Sequence, residues 1–527
     1  MHSGYLALLL HAHLPFVRHP EHEDFLEEDW LFEAVAETYL PLLKIFRALA
    51  AEKVDFRISL TMTPTLCAML RDPLLQGRCV RYLARGAELA ASEIERTQGD
   101  AALNELAKFY HGRFVEAGAF YEKELGRDIV GAFAQLQEDG YVEIITCAAT
   151  HAFLPALESF PEAIRAQILI GRDEYKECFG REPLGIWLPE CGYLPGLDRI
   201  LQEANLRWFV VDAHGLMYGK PKPRFAIYAP CFTPAGPAVF ARDRDSSKQV
   251  WSAREGYPGD PAYRDFYRDI GQELPLDYLN RFLPDEGMRR NTGIKYHRIT
   301  GRDVEKQVYR RDWALGAADH HAGDFLRSRA GQIEHLRSIM GVDPIVLSPY
   351  DAELFGHWWF EGPEFLNGFL RKAVYDQSVF RLTTPSDYLG SHPVAQMVSP
   401  ASSSWGHKGY AEVWLDRGNS WIYPHLHAAT RKMTEAARKF RTAPTAFVNR
   451  MLQQMARELL LAQSSDWAFL IKAGTAMAYA EQRTRDHLLK FNRLNDELLS
   501  GATESSLLKI CEDRDNLFPN INWRHFL

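Results

Sequence analysis

The chain has few cysteines, no basic blocks and no long apolar run, and each absence removes a class of protein. Seven cysteines in 527 residues (Cys67, Cys79, Cys147, Cys178, Cys191, Cys231 and Cys511) are scattered, odd in number and without a C-x-x-C pair. A disulfide framework or structural zinc site is therefore not expected, and a reducing cytoplasm is. Lysine and arginine number 61 against 69 acids, a net charge of −8. With no basic patch to neutralise phosphates, a nucleic-acid partner is not expected. No stretch approaches the roughly 18 apolar residues of a membrane span. The short run Tyr5–Leu10 has neither a basic flank nor a small-residue cleavage site, so it reads as a first strand rather than a signal peptide. Neither internal repeats nor low-complexity tracts occur. What the chain does have is ordinary globular composition, 46% hydrophobic and 25% charged, with length enough for two or three units around a large core. It also carries 12 tryptophans and 22 tyrosines, many beside glycine, serine or acids, which favours a planar, polar ligand.

Short apolar runs alternate with helical periodicity. Strands are expected at residues 5–10, 56–60, 142–146, at the run ending in Pro189, at 207–212, at the run ending in Asp351, and near 381–384. Helical spacing marks 33–51, 162–178 and 196–205. Residues 76–140 are too long for one crossover helix and imply an inserted helix pair. Residues 215–262, rich in proline, glycine and tyrosine, read as a long irregular excursion, a feature uncommon unless functional. Alternation of this kind predicts an α/β fold with a parallel sheet and function at the strand C-termini. Several strands end in His, Asp or Glu, which fits a barrel better than a sandwich. After about residue 390 the pattern changes to a polar linker and then to nearly continuous helix, so residues 1–390 are expected to form a catalytic barrel and 391–527 a helical domain.

Two stretches share one grammar. Gly185-Ile186-Trp187-Leu188-Pro189-Glu190-Cys191-Gly192-Tyr193 is an apolar run, a proline and a carboxylate between aromatics. Pro344-Ile345-Val346-Leu347-Ser348-Pro349-Tyr350-Asp351 repeats it, followed by Glu353, Gly356, His357, Trp358 and Trp359. Pro189 lacks an N–H, so the ladder should stop there, and the strand end should deliver Glu190 into a pocket. Two such acids beside indole rings suggest glycoside chemistry, one protonating the leaving oxygen and the other attacking or activating water. His11 and His13 invite a metal reading, but Pro15 ends their strand and no third and fourth ligand stands out. No metal or cofactor is expected. His11 and His151, each shortly before a Leu-Pro, are better read as hydrogen-bond partners of sugar hydroxyls.

Together, His11-Ala12-His13-Leu14-Pro15, Thr150-His151-Ala152-Phe153-Leu154-Pro155, Trp187-Leu188-Pro189-Glu190-Cys191 and Tyr350-Asp351-Ala352-Glu353-Leu354-Phe355-Gly356-His357-Trp358 resemble glycoside hydrolase family 57, and within it the glucan branching enzymes and their α-amylase-like relatives. The likeness extends over Arg242-Asp243, Gln249–Ser252, Ser402–Trp405 and Gln463–Trp467. It implies an incomplete barrel of seven parallel strands, a helical insertion and a closing helical domain. It also implies a retaining mechanism with Glu190 as nucleophile and Asp351 as acid/base, and no metal. Sugar contacts are implied or expected at His11, His13, His151, Trp187, Arg242, Trp251, His357, Trp358, Trp405, Trp414 and Asp466. The expected activity is transfer from α-1,4-glucan (amylose, glycogen or maltooligosaccharides) to a glucan 6-hydroxyl, in the cytoplasm. In the strongest branching members the loop before the position of Trp251 is longer and carries a tyrosine that covers the site. Here only 61 positions separate Glu190 from Trp251 (251 − 190), so water should compete and side hydrolysis is expected. The competing readings are an α-amylase or 4-α-glucanotransferase of the same family, a metal-dependent polysaccharide deacetylase, and a glycan-binding protein without catalysis.

Overall fold

The computed structural model describes residues 2–252, 255–284, 287–301 and 305–527. Nine strands form one sheet: β1 (Gly4–Ala12), β2 (Ile58–Met62), β3 (Val142–Cys147), β4 (Gly185–Trp187), β5 (Trp208–Val211), β6 (Cys231–Phe232), β7 (Ala238–Ala241), β8 (Ile345–Asp351) and β9 (Phe380–Leu382). Their order is β6-β7-β5-β4-β3-β2-β1-β8, with β9 alongside the start of β1. From β7 to β8 the seven strands are parallel, and only β6 runs antiparallel, against β7. Among the described residues no ladder between β7 and β8 closes the barrel; the chain just past β7 bridges the gap, through Asp243 N–H to Leu347 O at 2.8 Å and Ser348 Oγ–H to Ser246 Oγ at 2.7 Å. The expected incomplete barrel of seven parallel strands is thus the observed fold.

One expectation needs correcting. Residues 215–262 are not simply irregular, because β6, β7 and the helix Arg244–Trp251 lie within them, and β7 is one of the seven barrel strands. Its Ala-Val-Phe-Ala core is only four residues long and sits among prolines and glycines, which hid it. Residues 253–254 of that span lie outside the described residues.

Both sheet faces are covered, which explains the near-continuous apolar strands. Leu6, Leu8 and Leu10 pack outward with the helices, whereas Ala7 and Leu9 join Ile145, Cys147, Trp187, Trp208, Val210, Ala238, Phe240, Ile345 and Leu347 in a separate interior cluster. Between β2 and β3 run the helices Pro73–Arg96, Ala101–Ala119 and Ile129–Glu138. The C-terminal part contributes Ile422–Lys439, Ala446–Ala462, Ser465–Ala473, Met477–Leu499 and Ser506–Arg514. It meets the barrel through backbone: Ala152 and Ser464 form an antiparallel bridge, and Ser465 N–H donates to His151 O at 3.0 Å.

Candidate active site

Side chains alternate along a strand with period two, so the interior face can be followed past the last apolar residue. Leu9 is followed two positions on by His11, Val210 by Asp212, Phe240 by Arg242, and Leu347, through Pro349, by Asp351. Four polar groups thus rise from the C-terminal rim on the inner face, and register sets His11 directly beside Asp351. Glu190 arrives differently. β4 stops at Trp187, and the next turn holds Glu190 at φ 62° and Cys191 at φ 50°. His151 after β3 has φ 57°. Such left-handed non-glycine positions cost about 1–3 kcal/mol each and collect at functional sites.

Glu190 is almost enclosed and doubly held. Trp405 Nε1–H donates to its Oε2 at 2.7 Å, and Ser465 Oγ–H donates to its Oε1 at 2.9 Å. Burial pushes the carboxyl up to about 7, against the pull of those two donors. Asp351 is raised as well: burial first, then the charges of Glu353 and Glu190, drive it well above the ordinary carboxylate range, with Arg242 opposing. Glu190 thus bears two hydrogen-bond donors that favour its charged form, whereas burial and two neighbouring carboxylates favour the protonated form of Asp351. Around them stands a group of imidazoles. Burial would lower His13, but the charge and hydrogen bond of Asp466 outweigh it and raise it, while Asp466 is held down at about 2 despite its own burial. His13 is bonded through Nε2 to Asp466 at 3.0 Å and through Nδ1 to Thr63 Oγ1 at 3.0 Å, which favours its charged form. Its ring stacks on His151 at 3.8 Å. Burial, then His151 and His13, lowers His11 well below its ordinary value; burial, then His13, does the same to His151, with Asp466 opposing.

A family model for glycosyl hydrolase family 57 matches residues 7–401. The chain belongs to that family. A second model, for the C-terminal region of 1,4-alpha-glucan branching enzyme, matches residues 425–526. A 1,4-alpha-glucan branching enzyme from Thermococcus kodakarensis is 35% identical, the match covering 98% of this chain and 77% of that protein. The crystal structure of an alpha-amylase, AmyC, from Thermotoga maritima superposes with a TM-score of 0.93 at 43% identity, over 99% of both chains. That of a family 57 branching enzyme from Pyrococcus horikoshii gives 0.89 at 34% identity, over 100% of this chain and 97% of that one.

In this family 57 site the remaining sequence-predicted residues separate into those at the surface and those in the core. Trp251 and Trp358 are 45% and 42% exposed and meet edge to face at 5.7 Å, a platform open to a ligand. Arg242 pairs with Asp212 at 2.7 Å and lies 5.8 Å from the Trp405 ring. His357 is drawn aside by Glu37, 2.7 Å away. Trp187 and Trp414 do not offer ring faces to a sugar. Trp187 lies on the interior face of β4, buried against His11 at 4.8 Å and Trp405 at 5.1 Å. Trp414 is buried in the core and stacks on Phe153 at 5.0 Å. Tyr193, the other aromatic flanking Glu190 in sequence, is likewise buried against Phe209. Trp414→Ala is accordingly expected to cost about 3–5 kcal/mol of stability, read by denaturant unfolding, whereas a ring that served only as a sugar platform would leave the unfolding midpoint in place. The histidine reading changes too. His151 has both nitrogens committed, Nε2 to His11 Nε2 at 3.0 Å and Nδ1 to Ser465 Oγ at 2.9 Å, which leaves none for a sugar hydroxyl. His11 is buried and has only Nδ1 unengaged, itself shielded from solvent.

His13, His151 and Asp466 approach within 4.8 Å of one another, the spacing of a metal cluster. With the nitrogens of both histidines already committed, these residues form an ion pair and a hydrogen-bond row rather than an open ligand set. Sequence reading passed over Ser465, Asp212, Thr63 and Glu353. Three of the four had a signal: Asp212 follows the interior parity of β5, Ser465 adjoins Asp466, and Glu353 lies two residues past Asp351. Thr63 had none beyond its place after β2.

Proposed function

We propose that this family 57 enzyme is a 1,4-α-glucan branching enzyme that works by retaining glycosyl transfer. The observation carrying the reading is the pair of buried carboxyls at the barrel rim, Glu190 held by two hydrogen-bond donors and Asp351 set among carboxylates that favour its protonated form. Glu190 as carboxylate attacks the anomeric carbon of an α-1,4-linked glucose while Asp351 passes its proton to the departing 4-oxygen. A covalent glycosyl-enzyme results. Asp351, now ionised, then takes the proton of a glucan 6-hydroxyl, whose oxygen displaces Glu190 and closes an α-1,6 bond. The Trp251–Trp358 platform holds the acceptor chain, and water reaching the same intermediate gives hydrolysis instead. The match to the branching-enzyme C-terminal model and to branching enzymes over nearly the whole chain supports this acceptor choice.

An α-amylase is the second reading, favoured by the 0.93 superposition on AmyC and by the short Glu190–Trp251 spacing. We therefore expect branching with appreciable side hydrolysis and short transferred chains. Amylose, glycogen and maltooligosaccharides are the substrates we assign. Seven free thiols fit the cytoplasm, and among the described residues no helix is long and apolar enough to cross a membrane.

A pH consequence follows. Below about 7 Glu190 takes up a proton and cannot attack, while burial and the neighbouring carboxylates favour the protonated form of Asp351. The kcat/KM profile should therefore fall on its acid side near neutrality, with a plateau above it. The two groups interact, so the limbs belong to the pair. Loss of activity beginning only below about pH 5, near the ordinary carboxyl range, would contradict the assignment.

A further inference from the structure

Ser465 has one proton and two neighbours, Glu190 Oε1 and His151 Nδ1, both at 2.9 Å. When it donates to Glu190, it must accept from His151 Nδ1–H. A neutral His151 then has a bare Nε2, which accepts from His11 Nε2–H at 3.0 Å. That leaves His11 Nδ1 bare, and it is a buried nitrogen with no hydrogen-bond partner. Running the row the other way would place an unpaired N–H at that atom and a proton on Glu190. Either direction leaves His11 Nδ1 unpaired, so the other end of the row decides: an ionised Glu190 can only accept, and that sets the first direction.

We propose that His11, His151 and Ser465 form a one-way row of donors that positions Glu190 and keeps it ionised, so that docking of the C-terminal helical segment completes the nucleophile. This rests on the assignment of Glu190 above. Ser465 and Asp466 open the helix Ser465–Ala473, and backbone pairing of Ser464 and Ser465 with residues 151–152 holds them over the barrel rim. The row is a dead end rather than a shuttle, because His11 stacks on Trp187 and its far nitrogen meets no donor or acceptor. Other groups acting on Glu190 are the His13–Asp466 ion pair, Asp351, and the Cys147 and Cys191 thiols; Arg242 and Glu353 act on it through Asp351. The row touches no sugar, and these are positioning residues.

The test is Ser465→Ala, which keeps the backbone bond to His151, measured as total α-1,4 cleavage across pH so that the fate of the acceptor does not matter. We expect kcat to fall about 100-fold with KM changed less than about twofold. The acid limb should move up by about one pH unit, since a hydrogen bond to a charged group is lost. Ser465→Thr, which retains the hydroxyl, should restore both. His11→Phe, which keeps the stack on Trp187 without the donor, should move the limb the same way by less. An acid limb unmoved in both Ser465→Ala and His11→Phe overturns the row. If Glu190→Gln is inactive while that limb stays put, the row alone fails; if Glu190→Gln turns over normally, the nucleophile assignment fails first.

Discussion

Glu190→Gln is expected to lower turnover of α-1,4-glucan by about 10⁴–10⁶-fold, the scale seen when a catalytic nucleophile is removed. The amide is isosteric, and its single oxygen can accept from Trp405 or from Ser465 but not from both; the shape of the site is kept, so glucan binding should stay within about twofold of wild type. No glycosyl-enzyme should accumulate. Wild-type turnover, or an equally large loss of binding, would remove Glu190 from its role.

Asp351→Asn is expected to cost about 10²–10⁴-fold with natural glucan, the range for losing general acid–base assistance. The loss should depend on the leaving group. A maltooligosaccharide carrying an acidic phenol as aglycone needs no proton to depart, so formation of the glycosyl-enzyme should recover towards wild type. Its breakdown should remain slow, because the acceptor hydroxyl has lost its base. A burst of phenol followed by a slow steady state is the result expected. Equal losses for natural and activated substrates would show that Asp351 does not handle the proton.

How far this site could be read from sequence depends on where its parts lie. The end of β4 was legible where its apolar run approached Pro189, because a missing N–H stops the ladder, whereas β8 continues through Pro349 and stays paired with β1 as far as Asp351. β7 was not, since four small or apolar residues among prolines and glycines give no periodicity to detect. The carboxylates stood out as acids ending buried strands. What each aromatic touches did not, because sequence cannot tell an indole on the interior face of a short strand from one on a rim. Trp187 and Trp414 became core, whereas Trp251 and Trp358 became surface. The histidine row was hidden for a related reason. His11, His151 and Ser465 come from three distant parts of the chain, and only backbone pairing between residues 151–152 and 464–465 brings them together.

The central claim is that the glycosyl-enzyme on Glu190 is resolved mainly by a glucan 6-hydroxyl. The most direct measurement incubates amylose with the purified protein and follows iodine staining, reducing ends and α-1,6 signals in the same sample. Falling stain with new α-1,6 linkages, and with reducing ends increasing more slowly than branches, is the result predicted. Reducing ends rising in step with stain loss, with no α-1,6 signal, would contradict it and make the protein an α-amylase.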